Sequence, residues 1–130
     1  QVSAKIEEEL SEFESEEERK AFLDELGIKE PALDKMTRLC YKTLGLISFF
    51  TVEKNEVREW TIKKGSTAPM AAGAIHTDLE RGFIRAEIMK YEDLIKFGSE
   101  SSVKQAGKHM VKGKDYMVED GDIIRIRFNV

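Results

Sequence analysis

The stretch VREWTIKKGSTAPMAAGAIHTDLERGFIRAEI, Val57 to Ile88, changes its period twice within 32 residues, and those changes decide the fold. Val57 to Ile62 alternates, with Arg58, Trp60 and Ile62 on one side and Val57, Glu59 and Thr61 on the other, as a strand requires. KKGST then reads as a turn. Thr67 is placed to cap a helix, and Pro69 is tolerated in its first turn because amides there lack an intrahelical acceptor. Ala72, Ile75 and Leu79 form the apolar stripe of that helix, with the small Ala71 and Ala74 alongside, and the spacing predicts a helix to about Arg81, ended by Gly82. Alternation resumes in FIRAEIMKY, with Ile84, Ala86 and Ile88 expected on one face and Arg85 and Glu87 on the other.

Working outward, LISFFTV (Leu46–Val52) is a short apolar run suited to a central strand, and EKNE is the loop that joins it to Val57–Ile62 as a hairpin. On the other side, EDLIKFGSESSVKQAGKHMVKGKDYMV reads as one or two short helices and a short strand. DGDIIRIRFNV supplies a last strand with Ile124, Ile126, Phe128 and Val130 inward and Arg125 and Arg127 outward. The order hairpin, helix, strand, irregular connection, strand predicts an α+β fold of β-grasp type, a sheet wrapped around one helix. In that topology the last strand lies between the first strand and the strand after the helix. Arg85 then neighbours Arg125 and Arg127 on a face expected to be free of helices, balanced in part by Glu59 and Glu87.

Ahead of the sheet, Ser15 and Glu18 have the spacing of a capping box, and Gly27 supplies a left-handed stop for the helix that follows. Pro31 suits the start of a second helix, on which Leu33, Met36, Leu39, Cys40 and Leu44 recur at steps of three and four before Gly45. The pair reads as a helical hairpin with an apolar inner seam, and Cys40, the single cysteine, as a buried structural thiol. Residues 1–30 carry eleven acids and four bases, a balance of −7, and the remaining residues fourteen acids and seventeen bases, a balance of +3. A mildly basic remainder permits a polyanionic partner.

Several chemistries find no support in these residues. A phosphate loop of the form G-x-x-x-x-G-K-[ST] does not occur; GSESSVKQ and AGKHMVKGK have the residue types without the spacing. His76 and His109 have no H-E-x-x-H arrangement and no evident third ligand. A Cys40, His76, Asp78 nucleophile system would place its thiolate on an apolar seam, so His76 reads as a structural residue bonded to backbone or a neighbouring strand. Neither a run of roughly 18 apolar residues nor a leader segment is visible, which reads as soluble and cytoplasmic.

KKGSTAPMAAGAIHTDLERGF also carries a resemblance. Gly65-Ser66-Thr67, the small-residue helix and Ala74-Ile75-His76-Thr77-Asp78 resemble the signature of TGS domains, β-grasp modules found in threonyl-tRNA synthetases and certain GTPases. Pro69-Met70, where many such domains carry an acidic residue, points to one subgroup. Together with LGLISFFTVEKNEVREWTIKKGSTAP, ERGFIRAEIMKYEDLI and GKDYMVEDGDIIRIRFNV, the chain resembles the C-terminal part of the YchF family of Obg-like ATPases over essentially its whole length. The resemblance implies a helical tail of a nucleotide-binding domain over residues 1–45 and a TGS domain over 46–130. It implies ATP and magnesium bound by a parent protein, with no cofactor in this chain beyond a residual base edge at Ser3, Ala4 and Lys5. It further implies a ribosome or ribosomal RNA partner, for which Arg85, Arg125 and Arg127 are the candidate residues. The competing expectation is a structural domain that positions the nucleotide domain without touching RNA.

Overall fold

A computed structural model of the chain describes residues 2–53 and 56–129, and the fold divides into two units at the Leu44–Gly45 junction. In the first, helices α1 (Ala4–Glu12), α2 (Glu16–Glu25) and α3 (Ala32–Leu44) follow one another. Ser3 and Ser15 precede α1 and α2, and their hydroxyls accept the amides of Ile6 at 3.5 Å and Glu18 at 3.1 Å, so one otherwise orphaned donor at each helix start has an acceptor. Gly27 ends α2 at a φ of 67°, and the amides of Gly27 and Ile28 reach back to the carbonyls of Asp24 and Leu23. Leu10 and Leu23 are buried, and the Phe13 and Phe22 rings meet at 5.3 Å. A Glu7 carboxylate oxygen accepts the Ala32 amide at 2.7 Å and so ties α1 to the start of α3.

The expected hairpin is therefore a three-helix unit, and the seam assigned to α3 is not inside it. No residue of α3 is buried; Leu33, Met36, Leu39 and Leu44 are 48% to 67% exposed, and Cys40 is exposed as well. A helical period establishes that an apolar stripe exists but is silent on what faces it. The expectation of a buried thiol fails for that reason.

The second unit holds β1 (Leu46–Glu53), β2 (Glu56–Lys63), α4 (Ala68–Ile75), α5 (Thr77–Arg81), β3 (Phe83–Lys90), α6 (Tyr91–Phe97), α7 (Glu100–Gln105), β4 (Met110–Lys112) and β5 (Asp122–Phe128). Its five strands lie in the order β2-β1-β5-β3-β4. β1 and β2 form the expected hairpin, with Ile47 opposite Ile62 and Phe49 opposite Trp60. β5 runs parallel to β1 and antiparallel to β3. One sheet face packs on α4, whose Ala68, Ala71 and Ala72 have no exposed surface, and Phe49, Ile88 and Ile124 fill the space between. Alanines let the helix axis approach the sheet closely, and this is the β-grasp arrangement.

Four details depart from the sequence reading. The helix expected from Thr67 to Arg81 is broken at His76, whose extended backbone (φ −162°, ψ 142°) ends α4 and begins α5. Thr67 makes no side-chain cap; it bridges to Met117, and the Ala68 amide bonds to the Tyr116 carbonyl instead. The β3–β5 register shifts between Phe83 and Arg85, so Phe83 is buried and Ile84 is 52% exposed, because the irregularity inverts the alternation at that point. Phe128, expected inward, is half exposed at the end of β5; Val130 lies outside the described residues.

The opposite face is not free of helices. Val103 of α7, with Leu94 and Phe97 of α6, packs on Phe50, Val52, Met89 and Ile123, a second apolar cluster on the face that carries the arginines. A polar clamp closes the β3 end of the sheet. Asp122, fully buried, accepts from Lys90 at 2.5 Å, from the Tyr116 hydroxyl at 2.9 Å and from the Glu119 amide at 3.0 Å. Burial alone would lower the Lys90 pKa, but its hydrogen bonds to Asp122, Glu119 and Tyr116 outweigh that and hold it above the usual lysine value. Gly82 is needed for space rather than for its backbone angle: its φ is −92°, and a Cβ there would sit 2.4 Å from the Asn129 carbonyl oxygen.

Candidate nucleic-acid interface

β3 and β5 bring the three candidate arginines together as expected, with Arg85 opposite Arg127 and Glu87 opposite Arg125. Their electrostatic states differ. Arg127 donates to both carboxylate oxygens of Glu87, at 2.8 and 3.2 Å, a two-point match of guanidinium and carboxylate. Arg125 donates to Glu100 of α7 at 3.2 and 3.5 Å, and Lys104 meets the same carboxylate at 2.9 Å. The Arg127 hydrogen bond chiefly holds the Glu87 pKa below its ordinary value, and the Lys104 hydrogen bond, aided by Arg125, does the same for Glu100. Arg85 is exposed and makes no hydrogen bond or ion pair among the described residues. Of the three, it alone presents an uncommitted charge.

The carboxylates that neutralise this face were legible in part. Glu87 shares the strand period with Arg85, so alternation places it there. Glu100 is brought over the sheet by α7, and strand alternation contains no signal for a residue on a helix that follows two turns later. Glu59, expected to balance the arginines, makes no ion pair among the described residues.

Next to Arg85 the sheet ends in a basic edge. KQAGKHMVKGK, Lys104 to Lys114, has four lysines and no acid in eleven residues. β4 seats Lys112 opposite Ala86, on the α4 face of the sheet and so across it from Arg85, and the Lys112 ammonium lies 5.8 Å from the Tyr116 ring centroid. Lys108 and Lys114 are exposed, and none of Lys108, Lys112 and Lys114 is paired with a carboxylate among the described residues. The signal was present in the sequence as a charge run; only the strand pairing brings it to the edge next to β3, with Lys112 and Arg85 on opposite faces.

The remaining candidates also take part in local contacts. The His76 Nδ1 accepts the Asp78 amide at 3.1 Å and so caps α5, while the Asp78 carboxylate accepts from Arg81 at 2.9 Å. The imidazole is 64% exposed. Ser3 caps α1, Ala4 opens it, and Lys5 lies 3.9 Å from Glu9; all three are exposed. Among the described residues no cluster of three or more His, Cys, Asp or Glu side chains is arranged to hold a metal ion, and no helix is long and apolar enough to cross a membrane.

Residues 46–129 match the family model YchF-GTPase_C, described as "Protein of unknown function (DUF933)". The chain is 54% identical over 129 residues to "Ribosome-binding ATPase YchF" of Bacillus subtilis, covering 99% of this chain and 35% of that protein. It is 53% identical over 115 residues to "Obg-like ATPase 1" of Gallus gallus, covering 88% of this chain and 29% of that protein. Among solved structures, the Schizosaccharomyces pombe YchF GTPase superposes with a TM-score of 0.83 at 43% identity, over 97% of this chain and 33% of that one. The chain thus spans about a third of the length of the relatives it matches. The β-grasp sheet, the match over 46–129 and the likeness to relatives from bacteria to vertebrates agree: the chain belongs to the YchF-GTPase_C family.

Proposed function

We propose that this chain is the C-terminal portion of a cytoplasmic, ribosome-associated ATPase. In this reading residues 46–130 form a non-catalytic TGS module that binds ribosomal RNA and regulates the ATPase. Residues 1–45 are the helical tail of the nucleotide-binding domain, and the exposed stripe of α3 packs against the rest of that domain. ATP and magnesium are held by parts of the parent protein other than these residues, with Ser3, Ala4 and Lys5 at most touching the base. The observation that carries the reading is a set of cations at one edge of the sheet with no carboxylate partner among the described residues: Arg85 on one face of β3, Lys112 of β4 on the other face, and Lys114 just beyond it. Guanidinium and ammonium groups without carboxylate partners can engage phosphates without first breaking an ion pair, and such contacts position a protein on RNA with little regard to sequence.

The test is co-sedimentation of the full-length protein with ribosomes. Reversal at Arg85→Glu, Lys112→Glu and Lys114→Glu together should lower affinity by about a hundredfold and reduce its salt dependence. Arg125→Gln and Arg127→Gln should have a smaller effect, since those arginines are already occupied by Glu100 and Glu87. Unchanged binding by a folded triple variant would overturn the RNA reading and leave the domain-packing alternative, in which deletion of residues 46–130 alters ATP hydrolysis with no ribosome present.

A further inference from the structure

The sheet forks between its first and last strands. β1 and β5 pair in parallel at Phe50 and Ile123, just beyond a 2.8 Å bond from the Gly121 amide to the Ser48 carbonyl. Both strands then continue, β1 to Glu53 and β5 to Phe128, with no further pairing between them among the described residues. Val52–Glu53 and Arg125–Phe128 are thus left with main-chain donors and acceptors on facing sides and no sheet partner there. Unpaired strand edges template further pairing.

A cleft of about 320 Å³ opens into the fork on the α4/α5 side. Its floor is Ile75 and Leu79, and its walls are Trp60 of β2 with Ile126 and Phe128 of β5. Trp60, Ile75, Leu79 and Ile126 are only partly buried against the main core, so the core is open here. At the mouth, Arg58 donates to Glu56 at 2.8 Å and Arg125 is held by Glu100, while Glu53 has no partner among the described residues.

We infer that this fork is a docking site for an extended polypeptide segment of a partner protein. The segment adds to the free side of β5, places one large apolar side chain in the cleft, and sets a lysine or arginine against Glu53. An extended peptide is the ligand that presents amide donors and acceptors at strand spacing together with side chains alternating toward and away from the cleft. A nucleobase could fill the apolar volume but would leave the β5 main chain unpaired and bring phosphate toward Glu53. The inference goes beyond the RNA-binding reading and uses other residues.

The test is an amide-shift titration of the ¹⁵N-labelled 130-residue chain with blocked pentapeptides Lys-Thr-X-Thr-Lys, in which X is Leu, Phe, Trp or Ser, and with Glu-Thr-Phe-Thr-Glu. Leu or Phe at X should saturably shift the amides of Val52, Glu53 and Arg125 to Phe128 and perturb the emission of Trp60, the single tryptophan. Ser at X, or Phe128→Asp in the protein, should weaken binding by about tenfold. Glu53→Lys should transfer the preference to the acidic peptide, and it keeps the test decisive if Phe128→Asp does not fold. Absence of shifts for every peptide at millimolar concentration, shifts insensitive to both substitutions, or the same shifts produced by an oligouridylate would each overturn the inference. Ribosome co-sedimentation of Glu53→Lys, run alongside, separates this outcome from failure of the RNA reading.

Discussion

α3 and β5 are among the most regularly patterned stretches of the chain, and they end in opposite situations. β5 is flanked by β1 and β3, faces α4 on one side and α6 and α7 on the other, and buries Ile123 and Ile124 almost completely. α3 has an equally clear stripe, yet its leucines and its methionine are 48% to 67% exposed. Periodicity belongs to a single element, whereas burial belongs to a set of elements. The second unit holds the partners that bury the first half of β5, and the first holds two helices that bury little more than Leu10 and Leu23.

The strongest test of this contrast is a pair of truncations. Phe49→Ala, at a fully buried site between sheet and α4, should lower stability by about 4 kcal/mol, read by Trp60 fluorescence in denaturant. Met36→Ala on α3 should change it by no more than about 0.5 kcal/mol, read by helical circular dichroism. Equal losses would break the comparison, since they would require the α3 stripe to be buried within the chain.

A next, smaller effect sharpens it from the polar side. Asp122→Ala would leave Lys90 and the Tyr116 hydroxyl without their buried acceptor, and a loss of about 3 kcal/mol is expected. Tyr116→Phe, which removes one bond of the same clamp, should cost about 1 kcal/mol. Removal of the exposed Arg38–Glu30 pair in the first unit should be nearly silent.

The smallest expected effect is the acid response. Glu87 and Glu100 have folded pKa values below the ordinary 4.5. Their contribution is therefore present above that value and lost as pH falls through the lower folded values, because protonation removes the acceptors of Arg127, Arg125 and Lys104. Denaturant midpoints followed by Trp60 fluorescence should decline below about pH 4.5, and Glu87→Gln should flatten that decline. A midpoint independent of pH in this range would mean that the arginine face is less neutralised than its geometry indicates.

Much of the second unit was legible because its signals are local and of short period. The alternation of Val57–Ile62, the apolar run of β1 and the small-residue helix between two turns were enough for the order of elements, and that order for a β-grasp sheet. Ser15 and Gly27 likewise announced the limits of α2. The misses share a cause. His76 interrupts a helix because its ring accepts an amide two residues on, a choice invisible to a hydrophobic stripe that continues through it. Ile84 turns outward because one irregularity in the β3–β5 pairing inverts a period that looks unbroken. The arginine trio was found from strand alternation, but its neutralisation by Glu100 depends on where α7 lands. Lys112 reached the sheet edge next to β3 only once β4 was paired with it, on the face opposite to Arg85.

The central position of β5 also sets an order of events during synthesis. The bond from the Ser48 amide to Asp120 spans 72 residues, so at ribosomal elongation rates β1 waits roughly 4 to 14 seconds for the strand that completes its open side. During that interval Ile47 and Phe49 have their helix partner before they have their neighbouring strand, and the free edge of β1 is open to any other chain that offers one. The nascent protein is thus most exposed to mispairing after α4 has emerged and before β5 arrives.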